Sequence, residues 1–265
     1  MMANTRLSPI EKIGYGLGDF GSNVVFQTVI ILLPSFYTDV FGLAPAAMGL
    51  MFLVVRLLDT VTDPIMGVIA DNTNTRWGKF RPYLLWFSVP FAIVFVLTYW
   101  TPDLAGNQKL LYAYVTYAVL MLLYTVVNIP YCALGGVITA DSQERVSANS
   151  YRFFLATSAG VLITSFGPRL ITYFGKGNDQ IGYPWAMAVF GVLAVFAFIG
   201  CFALTKERVV EAQPAKGSFW SDVGTLVKND QWVVVALLGL VSLVAIVLRA
   251  GSAAFYIKCA VGRPD

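Results

Sequence analysis

Of 265 residues, 57% are hydrophobic and 12% charged, and the mean hydropathy is +0.70, which lies far outside soluble globular usage and marks a polytopic membrane protein. A net charge of +3 gives no sign of nucleic-acid binding, and the absence of histidine excludes a His-based metal site, a His proton relay and a Ser-His triad. Cys132, Cys201 and Cys259 lie far apart in or beside apolar runs and read as buried thiols, not as a disulfide framework or a zinc site.

Seven apolar runs are long enough to cross a bilayer. The first, residues 13–37, follows Arg6, Glu11 and Lys12. It is too long for the h-region of a signal peptide and more runs follow, so a retained helix is expected. Gly14, Gly16, Gly18 and Gly21 are spaced to let another helix approach closely. Asp19 and Asn23, four apart, share a face. A short loop, 38–45, leads to the second span, 46–70, where Pro64 can introduce a bend. The loop 71–82 is polar and basic, with Asp71, Arg76, Lys79 and Arg81. Its Trp77-Gly78 core and an Asp71 partner suggest a cytoplasmic clasp between spans two and three.

The third span is 83–100 and the fourth 110–138, the latter carrying Tyr124, Thr125, Asn128, Pro130 and Tyr131. A proline at that depth kinks a helix and is tolerated where a cavity or neighbour satisfies the freed carbonyl. A connector, 139–149, precedes the fifth span, 151–173, with Arg152 near its start. A Gly/Asn loop, 175–183, precedes the sixth span, 185–204. The polar stretch 205–230 then leads to a seventh span, 232–256, with Arg249 inside it. The expected fold is all-α: a six-helix transmembrane bundle (1–204), a cytoplasmic linker (205–231), and a seventh helix opening a second bundle (232–265). Lysine and arginine crowd the N-terminus and the loops after spans two, four and six, which places the N-terminus in the cytoplasm.

The second span holds the sharpest chemistry. Arg56, Asp59 and Asp63 fall within roughly 60° on one helical face, the carboxylates about one turn (~6 Å) apart. Charges at membrane depth are expensive and point to function. Two ionised carboxylates ~6 Å apart repel by about 3 kcal/mol at an effective dielectric of ~20. Arg56 balances one of them, and the other wants a proton or a metal cation. The rival reading, an ion-pair network that only locks helices together, leaves the second carboxylate unexplained. Oxygen ligands suit Na⁺, and Thr125 can add a hydroxyl. Asp19, Asn23 and Asn128 suit a polyhydroxyl ligand, because carboxylates and amides form paired hydrogen bonds to vicinal hydroxyls. Each is equally able to make a plain contact between helices.

Five motifs stand in order: Tyr15-Gly16-Leu17-Gly18-Asp19, Phe36-Tyr37-Thr38-Asp39, Arg56 through Pro64, Arg76-Trp77-Gly78-Lys79-Phe80-Arg81-Pro82, and Asn128-Ile129-Pro130-Tyr131. Together they resemble the glycoside–pentoside–hexuronide:cation symporters, the melibiose permease-like branch of the major facilitator superfamily. The resemblance implies an N-terminal six-helix bundle with a cation site at Asp59 and Asp63, for Na⁺, Li⁺ or H⁺, with Thr125 nearby. It implies a sugar site between bundles using Asn23, Asn128 and Arg152. In melibiose permease the positions of Asn23 and Asn128 are aspartate and that of Cys132 is tryptophan. Those departures point away from a galactoside and toward a glucuronide, a pentoside or a similar glycoside.

Members of the family have twelve spans, so a chain ending after the seventh reads as a portion of a transporter that does not transport alone. The expected activity is secondary active symport of a sugar or glycoside with Na⁺ or H⁺ across a bacterial-type inner membrane, with no cofactor and no nucleic-acid partner. The rivals are a related facilitator for lipid or drug and a non-transporting, sugar-sensing membrane fragment. An enzyme is not expected, because no nucleophile–base pair or metal-ligand set is evident.

Overall fold

The structure, a computed structural model, describes residues 6–104, 106–209, 228–239, 241–242 and 244–245. The chain divides into two units, Met1–Val210 and Glu211–Asp265. In the first unit six long helices carry the polypeptide back and forth: α1 (Pro9–Ile31), α2 (Pro45–Asn72), α3 (Arg81–Thr98), α4 (Asn107–Val137), α5 (Ser142–Gly175) and α6 (Asp179–Leu204). In the second unit the described residues include a shorter apolar helix, α7 (Asp230–Gly239). The rest of the expected seventh span, with Arg249 and Cys259, lies outside the described residues, as does most of the expected linker.

Sequence dictates where the helices start. Ser8 caps α1 in a reciprocal capping box with Glu11, and Pro9 occupies the first turn, where its missing N–H costs nothing. Asp141 caps α5 by accepting from the Gln143 backbone N–H at 2.8 Å. The first two turns of α5 therefore occupy what the sequence suggested was a connector. The first span also differs from the expected single helix. It breaks at Leu32 and continues as a short turn, Leu33–Ser35, and a π-helical turn, Phe36–Val40, bent by 45° from α1. Pro34 is the cause: it has no N–H to give the preceding turn, and its ring crowds that turn's carbonyls.

Each side of the helices reflects its surroundings. The face of α2 that bears Leu50, Leu53, Leu57, Val61, Ile65 and Val68 is exposed at helical spacing, as lipid contact requires. Its opposite stripe, Met51, Val55, Met66 and Ala70, is buried. Because lipid offers no hydrophobic drive for helices to associate, close packing has to hold them. Gly14 and Gly18 supply it. A Cβ on Gly14 would lie 2.5 Å from Leu204 Cβ, and one on Gly18 would overlap the Tyr131 ring. Tyr131 in turn stacks on Tyr15 at 5.1 Å and donates to the Tyr15 carbonyl at 2.9 Å. α1 packs against α5 and α6, α3 against α4 and α6, and α2 principally against α4.

Candidate functional site: a carboxylate cavity and a polar groove

Asp59 and Asp63 lie on the side of α2 that faces α4. Together with Arg56, Thr60, Tyr124, Thr125, Asn128 and Ile129 they line a cavity of about 170 Å³. Arg56 Nη1 donates to Asp59 Oδ2 at 3.3 Å, one turn along the helix. Thr125 Oγ1 donates to Asp63 Oδ1 at 2.8 Å across the gap between α2 and α4. Asp63 has no cationic partner among the described residues. The cavity thus carries one negative charge in excess. Its two carboxylates and the Thr125 hydroxyl form an oxygen-rich wall suited to a hard monovalent cation or a proton. Among the described residues no three Asp, Glu or Cys side chains converge as metal ligands, so a metal ion here would draw on hydroxyl and carbonyl oxygens as well.

The second cluster joins α1 to α5. Arg152 Nε donates to Asp19 Oδ2 at 2.9 Å, and Asn23 Nδ2 donates to Asp19 O at 2.9 Å and Oδ1 at 3.3 Å. The guanidinium also lies over the Tyr131 ring, 5.3 Å from its centre. One turn further along α1, Asn23 and Gln27 line a groove of about 520 Å³ with Ala156, Thr157, Gly160, Val161, Thr164 and Ser165 of α5. Asn128, grouped by sequence with Asn23 and Arg152, lines the carboxylate cavity. Phe26 of α1 packs against the carboxylate cavity: it stacks on Tyr124 at 5.6 Å, and Arg56 lies 5.8 Å from its ring centre. Sequence reasoning missed Gln27 and Phe26, and named Tyr124 without a role. Gln27 sits four residues after Asn23 on the same face, which is the signal that finds it.

The 71–82 loop is held by a carboxylate from beyond α6. Asp71 makes no ion pair or hydrogen bond among the described residues. Glu207, beyond α6, fills that place: its carboxylate accepts from the backbone N–H groups of Lys79 at 2.8 Å, Phe80 at 2.9 Å and Arg81 at 3.0 Å. Gly78 is bound to be glycine, because its φ is +113° and a Cβ there would strike that carboxylate. The Arg81 guanidinium donates to the carbonyl of Phe202, and Arg76 stacks on Trp77 at 4.5 Å.

Residues 205–209 continue this clasp as a strap. The backbone N–H groups of Arg208 and Val209 both donate to Val137 O at 2.9 Å, and Arg208 pairs with Glu11. Close by in sequence to Glu11, Lys12 pairs with Glu144 at 2.8 Å, tying α1 to the start of α5. The other ends of the helices meet in aromatic packing: Phe36 lies 5.2 Å from Tyr99 and 5.0 Å from Tyr183. Sequence reasoning missed Glu11, Glu144, Glu207 and Arg208 as clasp residues, because their partners lie up to 197 positions away.

The family model described as MFS/sugar transport protein matches residues 14–265. The inner membrane symporter YicJ of Escherichia coli (strain K12) is 47% identical over 264 residues, covering 100% of this chain and 57% of its own length. The isoprimeverose transporter of Lactiplantibacillus pentosus is 36% identical over 251 residues, covering 94% of this chain and 52% of its own. A glucuronide carrier protein homolog of Escherichia coli (strain K12) is 34% identical over 259 residues, or 96% of this chain and 56% of its own. The chain thus spans a little over half the length of these relatives. Four described helices are long and apolar enough to cross a membrane, or five if α1 and its bent continuation count as one span. α2, at 28 residues, is long enough as well but carries Arg56, Asp59 and Asp63 in its middle. An all-α membrane bundle, five motifs in register and these matches agree: the chain belongs to the MFS/sugar transport protein family, in its glycoside–pentoside–hexuronide:cation symporter branch, a family of transporters and not of enzymes.

Proposed function

We propose that the protein moves a sugar or glycoside together with Na⁺ or H⁺, with the cation seated at Asp59, Asp63 and Thr125. The observation that carries this reading is the unbalanced charge: Arg56 is paired to Asp59 at 3.3 Å, while Asp63 has only the Thr125 hydroxyl. A carboxylate left so at membrane depth costs several kcal/mol until a cation or proton joins it. Binding of that cation discharges the cavity and lets α2 settle against α4. The sugar is held by Asn23, Asp19 and Arg152 with Asn128 near the junction, and transport proceeds as two helix bundles rock about the midplane site. The clasp of Lys79, Phe80 and Arg81 with Glu207, with Arg76 on Trp77 beside it, belongs to the cytoplasmic face, with the N-terminus on the same side. A polar groove beside Asn23 and Gln27 favours a hydroxylated ligand over a lipid or an apolar drug.

The test is uptake by the full-length protein in proteoliposomes under an inward Na⁺ or proton gradient. Sugar accumulation driven by one gradient, and lost in Asp63→Asn, is the expected result. Linkage then requires sugar to tighten cation binding by the factor that the cation tightens sugar binding. Equal accumulation with and without either gradient overturns the assignment.

A further inference from the structure

A second hollow, of opposite chemistry to the polar groove, lies where α3 packs against α6. Its volume is about 540 Å³, and every side chain that lines it is apolar apart from the Trp100 indole. Small residues make its floor: Ala92 of α3, with Ala188 and Gly191 of α6. The helix contact does not demand that glycine, since a Cβ on Gly191 would lie 3.4 Å from Ala92 Cβ, an ordinary van der Waals distance. The rims are bulky and exposed, Ile93 and Leu97 on one side, Val192 and Phe196 on the other. The hollow also has the length and place of one membrane leaflet. Its α3 wall runs from Val89 to Trp100, about 16 Å at helical rise, against roughly 15 Å for half a hydrocarbon core. Val89 stands near the middle of α3 and Trp100 just beyond its end. The hollow thus covers the half of the membrane farther from the 71–82 loop, the outer half in the orientation proposed above. Trp100 marks its water end: the exposed indole N–H has no partner among the described residues and can donate to an ester or phosphate oxygen at headgroup depth.

We propose that this hollow holds one acyl chain of a phospholipid in that leaflet, with its ester end at Trp100, as a bound lipid distinct from the lipid that exchanges freely around the protein. The site is separate from the cation and sugar sites and does not depend on the symport reading. Lipid tails are as apolar as the helices, so packing alone decides which surface keeps a chain. On the convex face of a single helix a chain touches protein on one side. Between the rims of α3 and α6 it touches floor and both walls, and many small dispersion contacts add up. A sugar finds almost nothing to bond to on such a wall.

The experiment places the full-length protein in nanodiscs of phosphatidylethanolamine and phosphatidylglycerol, with a trace of phosphatidylethanolamine that carries a diazirine on one acyl chain. After irradiation, labelled peptides are mapped by mass spectrometry. Segments 89–100 and 188–196 are expected to take at least fivefold more label per exposed residue than Leu50, Leu53 and Leu57 of α2, which are exposed toward the same leaflet. In the double variant Ala92→Leu, Ala188→Leu, which fills the floor, that excess is expected to vanish, while the α2 label and the melting temperature stay as in wild type. Even labelling of the two faces overturns the inference, since the hollow then sees only exchanging lipid. An excess that survives in a folded double variant overturns it too. A dimer in the nanodisc with these segments unlabelled means that a second copy covers the hollow, and overturns it as well. Should the double variant not assemble, the wild-type label ratio alone decides.

Discussion

Thr125 Oγ1 and Asp63 Oδ1 meet at 2.8 Å across the α2–α4 contact, and this hydroxyl is the only hydrogen-bond donor that the Asp63 carboxylate has among the described residues. Thr125→Ala removes one oxygen of the proposed cation seat and one hydrogen bond to a charged group, worth about 1.5–3 kcal/mol. The expected outcome is a rise of roughly ten- to hundredfold in the cation concentration for half-maximal uptake, at a maximal rate that is little changed. Thr125→Ser, which keeps the hydroxyl, is expected to behave as wild type. Titration of uptake against external Na⁺ and pH reads both.

Arg56 and Asp59 give a rescue experiment. Arg56→Gln leaves two carboxylates on one face of α2 with no counter-charge, and breaking such a pair costs about 3–5 kcal/mol when it is buried, less here because Arg56 is 51% exposed. The single variant is expected to melt earlier in detergent and to favour protonation over Na⁺ at the cavity. The double variant Arg56→Gln, Asp59→Asn restores the charge balance and is expected to recover most of the melting temperature. A double variant no more stable than the single one would show that the two residues do not act as a pair.

Gly18 and Gly67 separate a close approach from an ordinary helical glycine. A Cβ at Gly18 would overlap Tyr131, whereas nothing lies within 4 Å of one at Gly67. Gly18→Ala is expected to destabilise the bundle by about 1–3 kcal/mol through forced repacking. Gly67→Ala is expected to be neutral or stabilising by up to about 1 kcal/mol, from helix propensity alone. Thermal unfolding of both variants in one detergent compares them directly.

Glu207 predicts a protease pattern. Its carboxylate satisfies three backbone N–H groups at Lys79, Phe80 and Arg81. Glu207→Ala orphans all three, and losing a hydrogen bond to a charged group costs about 1.5–3 kcal/mol. The 71–82 loop should then open at least tenfold more often, and trypsin should cut after Arg76 or Lys79 at a correspondingly higher rate. Cleavage at the wild-type rate would mean that the clasp is held elsewhere.

What could be read from residues alone divides along a physical line. Arg56, Asp59 and Asp63 were legible as one face because a helix repeats every 3.6 residues, so local spacing fixes their relation. The glycines of α1 announced a close neighbour, though not that Gly18 would meet Tyr131. The capping pattern Asp141-Ser142-Gln143-Glu144 was in plain view and marks the true start of α5; hydropathy hid it, since polar first turns score as loop. The break at Leu32 had its signal in Pro34, masked by the apolar run around it. The Asp19–Arg152 and Glu207–Phe80 contacts join residues 133 and 127 positions apart, and no local period encodes such partners. Asp71 was assigned to the clasp because it was near in sequence, whereas the carboxylate that accepts from the loop's amides is that of Glu207.

Phe26 bears on stoichiometry. A single phenyl ring on α1 touches Tyr124, which lines the carboxylate cavity, and lies under Arg56, while Asn23 and Gln27 beside it face the groove. If the proposed symport holds, an ion that moves Arg56 would press on Phe26, which stands between Asn23 and Gln27 in the sequence of α1. How faithfully one ion accompanies one sugar is then a matter of how stiffly that ring is held. On that proposal, a smaller residue there is expected to open a route for slippage, with ions crossing unaccompanied and the gradient running down without work done on the sugar.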